Sequence, residues 1–120
     1  MDDQRLPPIE RLRRPKEFQH VFQHGKKLVA SLFVLYVLPT SALHSRLGLT
    51  VSKRIGKAVA RNRARRLMRE LFRQHKALIQ PPCDLVFVAR RGAAEASLEE
   101  YIQQFMRLLR RCQRSGEAQE

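Results

Sequence analysis

Carboxylates are scarce in this chain: eleven Asp and Glu stand against 24 Lys and Arg in 120 residues, and they are scattered. A two-metal nuclease gathers acidic residues around its ions, so that class is a poor fit. Glu95 and Glu99, spaced i,i+4, stand where a helix begins and complement its dipole. Asp84, beside an apolar strand, reads as a turn residue. There are two cysteines, Cys83 and Cys112, in different elements without paired spacing; free thiols serving as small apolar residues are expected, not a disulfide. Tryptophan is absent, and the apolar side of the basic segment has no bulky belt of the kind that seats a protein on lipid. The longest apolar run, residues 32–38, is far below the ~20 residues that span a bilayer. No apolar segment follows Met1, Asp2 and Asp3, so a cytoplasmic location without a membrane partner is expected. His20 and His24, at i,i+4, lack a third ligand for zinc and read as surface or ligand-contacting residues. No strand-turn-helix nucleophile motif is present. The sequence therefore offers no catalytic residue and no metal ligand of its own.

What is abundant is positive charge. The net charge is +13 and the pI about 11.2, a surface that attracts polyanions such as nucleic acid. Residues 52–73 hold nine of the 24 basic residues and one acid, Glu70. At about 100° per residue, a helix from Ala58 places Lys57, Arg61, Arg65, Arg69 and Arg73 along one side, with Asn62 and Arg66 beside them. Ala60, Ala64, Leu67, Met68, Leu71, His75 and Leu78 fall on the other side and supply a face to bury. A merely solvated face alternates signs and forms i,i+4 ion pairs, whereas these cations repel one another. A polyanion-binding stripe accounts for them better.

Elsewhere the pattern is that of one domain. Residues 1–14, with Pro7, Pro8 and four arginines, read as a mobile basic arm; residues 15–114 form the folded domain and residues 115–120 a polar tail. Pro15 can open a first helix and Gly25 close it, with Phe18, Val21 and Phe22 at helical spacing. Residues 27–38 read as one strand with Phe33, Leu35 and Val37 on one face and Leu32, Val34, Tyr36 and Leu38 on the other. Residues 46–52 alternate and suggest its antiparallel hairpin partner. Pro81 and Pro82 end the long helix, and residues 84–90 are a third strand. Ser97 and Glu100 make a capping box for a last amphipathic helix ending near Ser115 and Gly116. The order α-β-β-α-β-α, without internal repeats, predicts an α+β fold around a small, mainly antiparallel sheet.

The basic segment has a further quality. Val51, Ser52, Lys53, Arg54, Ile55, Gly56, Ala58, Val59, Arg61, Asn62, Arg63, Ala64, Arg65 and Arg66 closely resemble the signature of the protein subunit of bacterial ribonuclease P, whose "RNR" motif is Arg61, Asn62 and Arg63 here. Phe18, Val21, Phe22 and Gly25, then Phe33, Val34, Leu35 and Tyr36, are similar to the family's N-terminal pattern, and Val86, Val88, Ala89 and Arg90 to its last strand. The resemblance spans roughly residues 11–111.

That resemblance implies an architecture related to a ribosomal-protein domain, with a left-handed crossover carrying the basic segment, against the usual hand. It implies an accessory subunit of the ribonucleoprotein endonuclease that removes the 5′ leader from precursor tRNA, the RNA subunit hydrolysing the phosphodiester with Mg²⁺. The implied partners are the catalytic RNA and the leader, with no obligate protein partner. Lys53, Arg54, Lys57, Arg61, Asn62, Arg63, Arg65, Arg66 and Arg69 are the residues expected on the catalytic RNA. Phe18, Phe22 and Tyr36, with Lys53 and Arg54, are those expected on the leader. By their spacing alone the aromatics would be core, and partial burial in a cleft allows both roles. Asn62 can donate and accept, so a structural bond is as consistent with its chemistry as an RNA contact. A general basic RNA-binding or ribosome-associated protein is the alternative.

Overall fold

The computed structural model describes residues 6–118, with side chains through Cys112. Three helices, α1 (Pro15–His24), α2 (Ala58–His75) and α3 (Leu98–Ala118), surround four strands, β1 (Lys26–Val29), β2 (Phe33–Pro39), β3 (Arg46–Thr50) and β4 (Cys83–Ala89). The strands lie in the order β1-β2-β4-β3; β1 with β2 and β2 with β4 are antiparallel, β3 with β4 parallel. The class is α+β, as expected, with one strand more than the sequence suggested.

The extra strand comes from residues 27–38, which are two arms of a hairpin. Ala30 N–H donates to Phe33 O (2.9 Å), and Leu32 N–H donates to Gln104 Oε1 of α3 (2.9 Å), so the turn is pinned to the helix beneath it. No Gly, Pro or Asn marks that turn, which is why an uninterrupted strand was the simpler reading.

The partner of β3 also differs from the hairpin expectation. β4 inserts between β2 and β3, and the α2 connection lets β3 and β4 run parallel, which a tight turn could not. Residues 83–87 are all buried, as suits a central strand covered on both faces.

Register divides the sheet into two faces. Leu28, Leu35, Leu47, Leu85 and Phe87 share one with Phe33, and α2 and α3 cover it through Ala64, Met68, Leu71, Phe72, Tyr101, Phe105 and Leu108. Phe33 packs on Phe87 at 4.9 Å and on Tyr101 at 5.9 Å between ring centroids. Each such fully buried side chain stabilises the fold by about 1.5–3 kcal/mol. Leu78, assigned to the buried side of α2, is instead exposed, because the helix tightens into a 3-10 turn (Lys76–Leu78) that changes the period; Phe72 and Ile79 are buried.

The second face carries α1 and a smaller cluster of Leu12, Val21 and Val86. Here the arm expectation fails for the described residues. Leu6 and Leu12 are buried, Arg11 bridges Leu47, and Leu12 N–H donates to Leu47 O (2.9 Å). Glu10, 8% exposed, accepts two bonds from Lys76 Nζ at 2.9 and 2.8 Å. The segment covers the otherwise open edge of β3, the role an edge strand needs filled. Residues 1–5 of the expected arm lie outside the described residues, as do residues 119–120 of the expected tail; α3 runs through Ser115 and Gly116 to Ala118.

Asp84 is likewise no turn residue. It sits inside β4 and accepts both Arg46 Nε (2.8 Å) and Arg46 Nη2 (2.7 Å), a bidentate pair between adjacent strands. Arg46 Nη1 also reaches Glu17 Oε2 of α1 (3.3 Å), tying helix to sheet.

Candidate nucleic-acid interface

α1 lies on the second sheet face because its apolar positions meet a flat place there. Gly48 of β3 supplies it: a Cβ at that position would stand 2.7 Å from two ring carbons of Phe18. The missing side chain is the seat of the Phe18 ring. One turn on, Phe22 meets Tyr36 of β2 edge to face, 4.8 Å between centroids. Phe18 and Tyr36 are half-buried and Phe22 is exposed, so each ring is anchored with part of its surface left open. By register, Lys27, Val29, Val34, Thr50 and Val88 share this face, with Lys27 opposite Tyr36. Aromatic surface beside cations is what holds unpaired bases, each stack contributing about 1–3 kcal/mol. Lys27 was not among the residues singled out from sequence; a lone lysine on a strand carries no signal until the pairing places it against Tyr36.

Where β3 ends, the basic segment begins. Ser52 Oγ accepts Arg54 N–H (3.3 Å) in a short 3-10 turn (Lys53–Ile55), which leaves Lys53 and Arg54 exposed at the end of the open face. Gly56 follows at φ +146°, a backbone region that side-chain-bearing residues rarely adopt, and turns the chain into α2. Arg61 Nε donates to Gly56 O (3.1 Å) and braces that turn.

Along α2 the predicted residues divide by what they touch. Lys57, Asn62 and Arg66 are exposed; Arg65 and Arg69 are half-buried. Asn62 Oδ1 accepts Arg65 Nη1 (2.9 Å), so its bond is to a neighbouring arginine, not to a backbone group. Arg63 stands apart. Its Nε donates to Ala94 O (2.7 Å) and its Nη2 to Ala96 O (3.0 Å), holding the buried loop before α3. Farther along, Glu70 accepts Arg73 and Gln74, and the Arg73 guanidinium holds its carboxyl below the usual range.

The stripe and the aromatic face are contiguous. Phe18, Leu12, Leu47, Leu49, Arg65 and Arg69 line one cavity of about 180 Å³ between α1, β3 and α2. Residues from α1, β3 and α2 meet there only through the tertiary fold, which leaves no trace in local periodicity.

Of the reactive groups elsewhere, Cys83 and Tyr101 are buried, whereas His20 and His24 are exposed. Among the described residues no three His, Cys, Asp or Glu gather to hold a metal, and the His20 and His24 rings simply pack at 4.8 Å. Both cysteines are free; burial pushes the Cys83 thiol up to about 11 and the Tyr101 phenol up to about 12. Among the described residues no helix is long and apolar enough to cross a membrane.

Comparison with known proteins agrees with the geometry. The family described as Ribonuclease P matches residues 6–113. The Ribonuclease P protein component of Shouchella clausii is 44% identical over 92 residues, covering 76% of this chain and 75% of that protein. Among solved structures, the RNase P protein of Staphylococcus aureus superposes with a TM-score of 0.76 at 30% identity, over 86% of this chain and 94% of that one. That of Thermotoga maritima gives 0.75 at 33% identity, over 85% and 96%. The match runs from the strapped N-terminal segment into α3, through both the aromatic face and the basic helix, and the chain belongs to the ribonuclease P protein component family.

Proposed function

We propose that this chain is the RNA-binding, non-catalytic subunit of a ribonuclease P holoenzyme, and that its two contiguous surfaces take different polyanions. Lys57, Arg61, Asn62, Arg65, Arg66 and Arg69 face the catalytic RNA, with Arg63 supporting them from behind. Phe18, Phe22 and Tyr36, flanked by Lys53 and Arg54, hold the single-stranded 5′ leader of precursor tRNA. The carrying observation is the open aromatic face: three rings half-buried or exposed, ending at two exposed cations where α2 begins.

The protein's contribution is electrostatic and positional. Two RNAs repel each other, and cations held between them lower the Mg²⁺ needed to bring them together. This also widens the substrate range, since the leader adds affinity that does not depend on the tRNA body. Phosphodiester hydrolysis itself, with Mg²⁺, belongs to the RNA subunit.

The test is cleavage of a leader-bearing precursor tRNA at low Mg²⁺ by bacterial ribonuclease P RNA, with and without the protein, and by protein alone. Cutting at the mature 5′ end only when both are present is the expected result. Cutting by protein alone would overturn the non-catalytic role. Affinity for precursor tRNA that ignores leader length would favour a general basic RNA binder.

A further inference from the structure

The cavity that Phe18 and Arg65 share is cationic as well as apolar. Arg11, Arg65 and Arg69 line it beside Leu6 and Phe18, and no carboxylate is among its lining residues. Its volume, about 180 Å³, is below the roughly 300–1,000 Å³ of a small-molecule site and suits a group the size of a carboxylate or a phosphate.

The acids that fold near α1, β3 and α2 are engaged elsewhere. Glu10 accepts Lys76, Glu17 and Asp84 accept Arg46, and Glu70 accepts Arg73 and Gln74. Arg65 Nη1 donates to Asn62 Oδ1, a neutral acceptor, and its guanidinium carries further N–H donors that suit a charged one.

Leu6 fixes where the chain meets this cavity. It is 4% exposed, belongs to the main core cluster and lines the cavity itself. Directly before it in sequence stand Asp2 and Asp3, the only acids among residues 1–9. Covalent geometry bounds their reach: at about 3.6 Å per residue at most, the Asp3 Cα lies within about 11 Å of the Leu6 Cα and the Asp2 Cα within about 14 Å. Two carboxylates are thus tethered beside an arginine-lined cavity that has no acid of its own. So short a tether gives them an effective concentration there of about millimolar order.

We infer that Asp2 and Asp3 dock on this cavity as an internal counter-anion, which RNA must displace before it can engage the stripe and the aromatic face together. The docking rests on the cavity and the tether; that RNA is the competitor rests on the functional reading above. Carboxylate and phosphate oxygens accept from the same guanidinium donors, so the two occupants exclude each other. Displacing a tethered carboxylate takes the place of releasing a salt ion, which makes RNA binding weaker and less dependent on salt than the cations alone would give.

The experiment uses the full chain, its Asp2→Asn/Asp3→Asn variant and a charge-matched control, Glu95→Gln/Glu99→Gln, which neutralises two exposed acids near the start of α3. Thermal melts verify that all three are folded. Without RNA, the Nε–H resonance of Arg65 is followed by NMR, with Arg90, bonded to Ala30 O at the opposite edge of the sheet, as internal reference. The Arg65 resonance should shift in the Asp2/Asp3 variant and stay in place in the control. With a single-stranded oligouridylate at low salt, the Asp2/Asp3 variant should bind about 3–10-fold tighter than the parent, with a log–log salt slope steeper by about one. The control should tighten far less. An unmoved Arg65 resonance overturns the docking. A shifted resonance with equal tightening in both variants, or with none, overturns the competition, the first result being an effect of net charge alone. If the parent binds no RNA while the Arg65 resonance shifts, the functional reading falls and the docking stands.

Discussion

Phe18 of α1 and Arg65 of α2 line the same small cavity beside β3, although 47 residues separate them in the chain (65 less 18). The ring proposed to face the leader and the guanidinium proposed to face the catalytic RNA therefore share a wall. Residues in contact through a shared cavity couple energetically by about 0.5–3 kcal/mol, whereas distant ones add. A double-mutant cycle with Phe18→Ala and Arg65→Ala, read as affinity for precursor tRNA in the holoenzyme, should show coupling above about 0.5 kcal/mol. Strict additivity would mean that the two surfaces act independently.

Arg63 and Arg66 should part company in a stability experiment. Arg63→Ala leaves the carbonyls of the buried Ala94 and Ala96 without their donors, which predicts a loss of about 1–3 kcal/mol in chemical denaturation. Arg66 is exposed, and Arg66→Ala should change stability by less than about 0.5 kcal/mol while weakening RNA binding. Equal stability losses would contradict the assignment of Arg63 to the loop.

Gly48→Ala tests the seat of Phe18. The added Cβ would stand 2.7 Å from the ring, so the ring must move or β3 must shift. Overpacking of this kind costs about 1–3 kcal/mol. The expected outcome is a loss of leader-dependent affinity with little change in affinity for the catalytic RNA. The reverse pattern would place Phe18 outside the leader site.

Glu17 predicts a pH dependence. Its carboxyl is held below its ordinary value of 4.5, first by the N–H groups of Arg14 and Arg13, then by the charge of Arg46. A carboxylate depressed in the folded state contributes stability that is full above the unfolded value and lost as pH falls through the folded one. Acid unfolding of the parent should thus steepen below about pH 4.5. Glu17→Gln should flatten that limb and leave stability above pH 6 lowered by a constant amount; a parallel limb would show that Glu17 carries none of it.

Much of the molecule was written in local pattern. Ser97 Oγ accepts Glu100 N–H (3.2 Å) and Glu100 Oε1 accepts Ser97 N–H (3.0 Å), the capping box its spacing announced. Pro15 and Gly25 bound α1, and Ala64, Met68 and Leu71 are buried on α2 as their helical period requires. The excess of cations over residues 52–73 needs no structure to be seen, and the motif within it placed the chain in its family. These signals are legible because each depends on residues three or four apart, or on composition alone.

What tertiary structure decided lies between residues far apart. Arg46 and Asp84 are 38 positions from each other and Glu10 and Lys76 are 66, yet these pairs fix the parallel β3 and strap the N-terminal segment to the domain. Cysteine spacing and charge counts are blind to them. Periodicity reports which side of an element is apolar, never which element will cover it. So residues 46–52 read as a hairpin arm until β4 was seen to lie between, and Arg63 read as one more cation of the stripe until two carbonyls were found at its fork. The joining of stripe and aromatic face at Phe18 and Arg65 is of the same kind: it exists only because Gly48 lets α1 settle on β3 beside α2.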